Sequence, residues 1–82
     1  MRLDKYLKVS RIIKRRTVAS EACAAGKVSV NGKVAKPSHE MKIGDKIELQ
    51  LGTRRICAEV TDLSETVRKE NAAQMYRILS EE

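Results

Sequence analysis

The dipeptide Asn31-Gly32 stands between two short stretches in which valines alternate with other residues. Val28 and Val30 precede the dipeptide, and Val34 follows it. Asn-Gly is the pair best suited to the positive φ angles of a two-residue turn, so the pattern predicts a β-hairpin. A chain of 82 residues has room for one hydrophobic core but not for two. The hairpin must therefore belong to that single core.

Two further strands are predicted after the hairpin. Residues 46–51 ("KIELQL") and 56–60 ("ICAEV") alternate apolar with polar side chains, as strands with one buried face do. The intervening "GTRR" is predicted to be a turn, so that the two strands pair. Residues 69–75 favour a helical turn by propensity, and residues 76–79 are compatible with an edge strand. Periodicity does not separate these two interpretations over so short a stretch.

An amphipathic helix is predicted near the start of the chain, in residues 2–10 ("RLDKYLKVS"). The positions spaced at i, i+3, i+4 and i+7 carry Leu3, Tyr6, Leu7 and Ser10. The opposite flank carries Arg2, Lys5 and Lys8. We expect the first set to be buried and the second to face the solvent.

A second short helix is predicted in residues 17–25 ("TVASEACAA"). Thr17 is suited to cap its first turn through the side-chain oxygen. Gly26 is suited to end it, because glycine adopts the left-handed backbone conformation that follows many helices. The face expected to be buried carries Val18, Ala22 and Ala25.

Basic charge is concentrated in the first part of the chain. The formal net charge is +6, yet residues 1–36 hold ten basic and two acidic residues, which leaves residues 37–82 with a net −2. The densest stretch, "KVSRIIKRRTVA", contains no acid and carries Lys8, Arg11, Lys14, Arg15 and Arg16. This asymmetry indicates one face that binds a polyanion, with a merely solvated face as the alternative.

The sequence also disfavours several classes of function. No apolar run approaches the ~20 residues that span a bilayer, so we expect a cytoplasmic protein with no membrane partner. Cys23 and Cys57 lack metal-ligand spacing and are interpreted as small buried apolar residues. No phosphate-binding loop or serine elbow is present, and His39 is expected to be an exposed loop residue. We therefore expect no enzyme activity, no metal and no cofactor.

Asp4 is the only acid in the first basic helix, and two roles are open for it. It either orients a neighbouring arginine or lysine, or favours the helix N-terminus electrostatically.

The scarcity of aromatic residues favours one mode of nucleic-acid binding. Tyr6 and Tyr76 are the only aromatic residues, so the chain lacks the stacking platforms on which single-stranded nucleic acids bind. Recognition of phosphates and of the shape of a folded RNA fits better. Arginines on a rigid helix pair are suited to bidentate phosphate contacts.

The order of helix, basic connection, helix, glycine and hairpin resembles the small RNA-binding domain named after ribosomal protein S-four. The segments "RLDKYL", "KRRTVASEACAAGKVSVNGKVAKPS" and "GDKIEL" follow that family's pattern in order. The resemblance implies an α+β fold of the S-four (alpha-L) type, in which two N-terminal helices pack on a short, mostly antiparallel sheet. We expect this domain to span residues 1–62 and residues 63–82 to form a C-terminal extension that packs on it.

The opening "MRLDKYLKVSRIIKRRT" and the ending "AAQMYRILSEE" are similar to the stand-alone bacterial RqcP (YabO) family, a relative of the heat-shock protein fifteen family. The resemblance implies a non-catalytic factor that binds large-subunit ribosomal RNA and peptidyl-tRNA. It also implies that the factor helps an RqcH-like partner to add alanine tails in ribosome-associated quality control. The residues that would face RNA are Arg2, Lys5, Lys8, Arg11, Lys14, Arg15, Arg16 and Lys27. Arg2 and Arg16 match family positions and are expected to bracket one groove.

Three alternatives stay open at this point. The two helices and the basic connection also suit a DNA-binding helix-turn-helix protein. The chain could instead be an accessory subunit that docks on an enzyme through its acidic C-terminal tail, or a heat-shock-type factor of ribosome recycling. We expect a monomer, because one small module suffices for the proposed binding.

Overall fold

The predicted hairpin is confirmed in the computed structural model, which describes residues 1–65 and 69–81. Strands β1 (Val28–Val30) and β2 (Lys33–Val34) pair antiparallel, with Val30 opposite Lys33. Asn31 and Gly32 have φ angles of 53° and 86°, the left-handed values that this turn requires. The Asn31 side chain donates from Nδ2 to Asp45 Oδ1 at 3.0 Å and accepts the Lys46 N–H at 3.0 Å. It therefore fastens the turn to the next strand.

The remaining elements complete an α+β domain, which confirms the expected fold class. They are α1 (Leu3–Val9), α2 (Arg16–Ala24), β3 (Lys46–Leu51), β4 (Arg54–Val60), a 3₁₀ helix (Lys69–Met75) and β5 (Tyr76–Glu81). The described strands form one antiparallel sheet in the order β2-β1-β3-β4-β5. Both interpretations of the C-terminal stretch are thus correct, because the 3₁₀ helix and the strand follow one another.

One face of the sheet and the two helices enclose the core. On the sheet, the buried positions are Val28, Val30, Ile47, Leu49, Ile56, Ala58 and Val60. Leu3, Tyr6, Leu7 and Ser10 of the first helical segment are all buried, which confirms the predicted apolar face. The other face of the sheet is open and carries polar residues at the alternate positions.

The second helix departs from its prediction at its start and on its buried face. It begins at Arg16, and the capping position is Arg15, which makes no side-chain capping bond, so the cap assigned to Thr17 is wrong. Thr17 already lies inside the first turn, where its backbone is helical. The buried side chains are Ala19 and Cys23, whereas Val18 is 45% exposed.

Gly26 ends the second helix as predicted. Its φ is +76°, its N–H donates to Cys23 O at 3.0 Å, and the N–H of Lys27 donates to Ala22 O at 3.0 Å. This pair of bonds satisfies carbonyl groups that the helix end would otherwise leave free.

Two predictions about β4 are wrong. The turn before it consists of Gly52 and Thr53 alone, because Arg54 already pairs with Leu51 in the ladder. Cys57 is only partly buried, because it lies opposite Glu48 on the open face of the sheet, whereas Cys23 is buried as expected.

The C-terminal segment contacts both the sheet and α1. β5 pairs with β4, and the buried Tyr6 hydroxyl donates to Met75 O at 2.5 Å. Burial raises the pKa of Tyr6 well above its ordinary value, with a smaller contribution from Tyr76 and Asp62. No helix within residues 1–65 and 69–81 is long and apolar enough to cross a membrane.

Candidate nucleic-acid interface

A buried carboxylate joins two arginines from different helical segments. Asp4 is 3% exposed, and its Oδ1 accepts the backbone N–H of Lys5 at 2.7 Å. Arg2 Nη2 lies 3.3 Å from Asp4 Oδ2, and Arg16 Nη2 lies 3.5 Å from Asp4 Oδ1. The two arginine side chains are about half exposed, at 50% and 48%. Both guanidinium groups therefore keep N–H donors for an external anion.

The position of Asp4 agrees with both of the roles that the sequence leaves open for it. The structure shows the arginine contacts that an orienting role requires. Asp4 also lies in the first turn of α1, where a carboxylate interacts favourably with the helix dipole. Since one carboxylate serves two guanidinium groups, the site keeps a positive charge.

Residues 37–41 hold the N-terminus of α1 in place, a contact that no local pattern in the sequence indicates. The N–H of Leu3 donates to His39 O at 2.8 Å, and the N–H of Asp4 donates to Pro37 O at 3.1 Å. Arg2 lies opposite Glu40 in an isolated antiparallel bridge. The loop thus satisfies N–H groups that a helix start leaves free, and it fixes the backbone beside Arg2. His39 itself is exposed, as predicted.

The basic connection between the helices has a fixed backbone. Arg11 has a φ of 63°, and its N–H donates to Lys8 O at 3.0 Å. It therefore occupies after α1 the position that Gly26 occupies after α2. Ser10 and Ile13 on either side of it are buried, which anchors the connection to the core.

Seven of the eight predicted RNA-facing residues fall into three groups on the helices and the connection between them. Arg2 and Arg16 share Asp4, and the groove that they are expected to bracket stays a prediction. Lys5 is partly buried, and its Nζ lies 3.5 Å from Glu65 Oε1. The exposed cations around the connection are Lys8, Arg11, Lys14 and Arg15. Lys27 does not join these groups, because it lies beyond the far end of α2, a helix of nine residues that is about 14 Å long.

Ion pairing differs between the sheet and the helical side, which comprises α1, α2 and the connection between them. The sheet arginines Arg54, Arg55 and Arg77 each pair with a glutamate: Glu81, Glu48 and Glu59, respectively. The four exposed cations around the connection have no acidic partner within the part of the chain that the structure describes. Lys33 on β2 and Lys46 on β3 also have no acidic partner in that part of the chain, so the helical side is distinguished by the density of its unpaired cations, which favours binding of a polyanion.

Metal chemistry finds no support in the described ranges. Within residues 1–65 and 69–81, no group of three or more His, Cys, Asp or Glu side chains is placed to hold a metal ion. Burial, with the nearby Asp4 carboxylate, raises the pKa of the Cys23 thiol to about 11. That thiol is therefore protonated at neutral pH, which does not suit a nucleophile.

Two helices packed on an antiparallel sheet, with exposed arginines and lysines on the helices, define a small nucleic-acid-binding domain of the S4 class. The S4 domain pattern matches residues 1–47. Over its whole length the chain is 50% identical to the RQC P-site tRNA stabilizing factor of Halalkalibacterium halodurans and covers 93% of that protein. It is also 50% identical to the factor of the same name from Bacillus subtilis (strain 168), of which it covers 95%. The chain belongs to this family of S4-domain proteins.

Solved structures agree with this assignment. Heat Shock Protein 15 of Vibrio cholerae superposes with a TM-score of 0.91 and 36% identity, over 98% of this chain and 82% of that one. A hypothetical protein solved in solution superposes with a TM-score of 0.82 and 29% identity, over 98% of both chains. The expected relationship to the heat-shock protein fifteen family is thereby confirmed.

Proposed function

We propose that this protein is a non-catalytic factor of ribosome-associated quality control that binds the large ribosomal subunit together with peptidyl-tRNA. The observation that carries the proposal is the match over the whole chain to proteins named RQC P-site tRNA stabilizing factor. In this proposal, residues 1–62 are the RNA-binding unit and the segment from residue 63 onward is an extension of it. The pairing of β5 with β4 supports that arrangement.

The geometry of the helical side supports phosphate recognition. Arg2 and Arg16 are held from behind by Asp4, so their outer N–H groups are preoriented for an anion. Lys8, Arg11, Lys14 and Arg15 extend the charge along the connection between the helices. Contacts of this kind follow the backbone and shape of a folded RNA and do not need aromatic stacking.

The proposed mechanism is differential binding. A factor that binds one arrangement of ribosomal RNA and tRNA more tightly than others increases the population of that arrangement. In this proposal, the favoured state keeps the tRNA in position while an RqcH-like partner extends the stalled chain with alanine. The protein then contributes binding free energy, and no bond is made or broken on it.

Sedimentation with large subunits that carry peptidyl-tRNA tests the proposal. We expect the wild type to migrate with these particles and Arg16→Glu to remain at the top of the gradient. Arg54→Glu is the matched control, because Arg54 is also exposed and ion-paired but lies on β4. A wild type that stays at the top of the gradient, or prefers duplex DNA to the particles at equal salt, contradicts the proposal.

A heat-shock-type role in ribosome recycling is a second candidate, favoured by the likeness to Heat Shock Protein 15. The two roles differ in their product. We expect cells that lack a quality-control factor of the proposed kind to lose alanine tails on stalled chains. We expect cells that lack a recycling factor to keep the tails and to accumulate blocked large subunits.

A further inference from the structure

We propose that a second groove, at the far end of α2, binds a ribose–phosphate segment of the same structured RNA through Lys27 and Arg55. This inference rests on the proposed function and adds a contact surface that the helical side does not include. The groove lies between the end of α2 and the open face of the sheet. Its lining includes Gly26, Lys27, Ser29, Glu48, Gln50 and Arg55.

The strand register brings these side chains to one face. Ser29 lies opposite Glu48, and Gln50 lies opposite Arg55. Directly opposite residues of antiparallel strands project to the same side of a sheet. The N–H of Gln50 also donates to Lys27 O at 3.0 Å, which holds the lysine backbone against β3. The groove is therefore built by three strands and a helix end, and not by a loop alone.

Two cations at this groove are available to a phosphate. Lys27 is exposed and forms no ion pair with any acidic side chain that the structure describes. Arg55 pairs with Glu48 through Nη2, which leaves its other N–H donors free and orients the guanidinium group. Together with the glutamate, the two cations leave the groove with a net positive charge.

The end of α2 does not bar an anion from the groove. The carbonyl groups of Cys23 and Ala22 accept N–H bonds from Gly26 and Lys27. Gly26 presents no side chain to the rim, and the nearest atom to a Cβ placed there is Val34 Cγ1 at 4.0 Å. A ligand backbone therefore has room to approach the chain at this point.

The polar lining favours RNA over an apolar protein segment. Apart from Leu49, which is buried beneath the groove, the lining residues are polar, charged or glycine. The Ser29 hydroxyl, the Gln50 amide and the Glu48 carboxylate supply donors and acceptors for a ribose 2′-hydroxyl. That hydroxyl is the group by which a protein distinguishes RNA from DNA at a given position.

Contacts at both ends of α2 strengthen one another. Arg16 and Lys27 lie at opposite ends of a helix about 14 Å long, so one RNA surface has to span several nucleotides to reach both. Once the arginines at Asp4 are engaged, the second contact forms within the same complex and at a high effective concentration. The groove thus adds affinity for an extended folded RNA and little for a short oligonucleotide.

The test measures the affinity for large subunits carrying peptidyl-tRNA at several salt concentrations. We expect Lys27→Gln and Arg55→Gln each to weaken binding at least about threefold and to reduce the salt slope by about one. Arg54→Gln is the matched control, because Arg54 neighbours Arg55 and also pairs with a glutamate, yet does not line the groove. We expect its affinity and salt slope to equal those of the wild type.

The outcomes separate the groove from the proposed function. If both groove variants bind as tightly as the wild type and with the same salt slope, the proposal that the groove binds RNA is overturned and the proposed function stands. A wild type that does not bind overturns both. Thermal unfolding monitors the fold of each variant. Should Arg55→Gln be destabilised by the loss of its pairing with Glu48, Lys27→Gln still decides the question. The Lys27 side chain forms no ion pair or hydrogen bond with the residues that the structure describes.

Discussion

Asp4 and Arg16 belong to different helices, yet Arg16 Nη2 lies 3.5 Å from Oδ1 of the buried Asp4 carboxylate. The carboxylate also contacts Arg2 on its own segment, so it sets the positions of two guanidinium groups at once. An acid in the middle of a basic surface is unfavourable for RNA binding by charge alone. Its burial and its contacts with both arginines support a positioning role for Asp4 in the proposed RNA binding.

Asp4→Asn separates these two effects by the sign of its result. The variant raises the net charge by one, which by charge alone tightens RNA binding, but it weakens the hold on both arginines. We expect binding to large subunits to weaken about fivefold, or ~1 kcal/mol. Glu21→Gln is the control, because it adds the same charge on α2 without contacting either arginine. Tighter binding by Asp4→Asn would contradict a positioning role.

Arg11 is expected to lower the stability of the fold through its backbone strain, while its cation contributes to RNA binding. Its left-handed backbone strains any residue with a Cβ atom, and glycine relieves this strain at some cost in unfolded-state entropy. We predict that Arg11→Gly is more stable than Arg11→Ala by about 0.5–1 kcal/mol, measured by urea unfolding. Both variants should lose RNA affinity equally, since both lack the cation. Equal stabilities would contradict this prediction, because they would mean that the strain at Arg11 is no larger than the unfolded-state entropy cost of glycine.

Tyr6→Phe tests the contact between α1 and the C-terminal segment. Loss of the bond to Met75 O should lower the free energy of unfolding by about 1 kcal/mol near neutral pH, and Tyr76→Phe serves as the control. The carbonyl keeps the N–H of Thr61 as a partner at 2.9 Å, so the loss stays moderate.

Tyr6→Phe also tests how the free energy of unfolding depends on pH. The pKa of Tyr6 is raised in the folded state. The stability that the protonated Tyr6 hydroxyl contributes is therefore fully present below the unfolded-state pKa of about 10, and it is lost as the pH rises toward the folded-state pKa. The pKa of Cys23, raised to about 11, adds a loss of its own above its ordinary value. Plotted against pH, the free energies of unfolding of the wild type and of Tyr6→Phe should therefore converge above about pH 10. Parallel plots would refute the assignment to Tyr6.

Asn31→Gly tests the turn. Glycine keeps the left-handed backbone but removes the side-chain bonds to Asp45 and Lys46. We expect a loss of about 1 kcal/mol in the free energy of unfolding, since both bonds lie at the surface. Asn31→Asp should lose at least as much, because its carboxylate still accepts the N–H of Lys46 but replaces the bond to Asp45 with repulsion between two carboxylates. A variant as stable as the wild type would mean that backbone geometry alone holds the hairpin.

Local patterns identified the elements whose signals are local. The Asn31-Gly32 turn and the buried face around Tyr6 follow from spacing within a few residues, and both are present. The face of α2 was assigned wrongly because Val18 and Ala19 are both apolar, and only packing against α1 decides which is buried. Cys57 was misassigned because its alternation with Ile56 and Ala58 was outweighed by the usual burial of cysteine.

The candidate site was predictable as a set of charges but not as a geometry. The concentration of lysines and arginines indicates the helical side. Nothing in the sequence spacing of Asp4 and Arg16 shows that their side chains are in contact. Nor does the periodicity show that residues 37–41 run beside the start of α1. Both relationships depend on how the helices and loops cross, which is a property of the assembled core. For the same reason the sequence does not show that α2 separates Lys27 from the other predicted RNA-facing cations.

The anchoring of α1 also determines when the binding surface can exist. The helix is the first element of the chain, but its start is held by the backbone of Pro37 and His39, and its Tyr6 is held by Met75, 69 residues later. Partners so distant in sequence meet late, because long loops have to close before such contacts form. A chain emerging during its own synthesis therefore has its basic residues before it has them in position. If the proposed surface binds RNA, we expect that ability to be acquired only when folding is nearly complete.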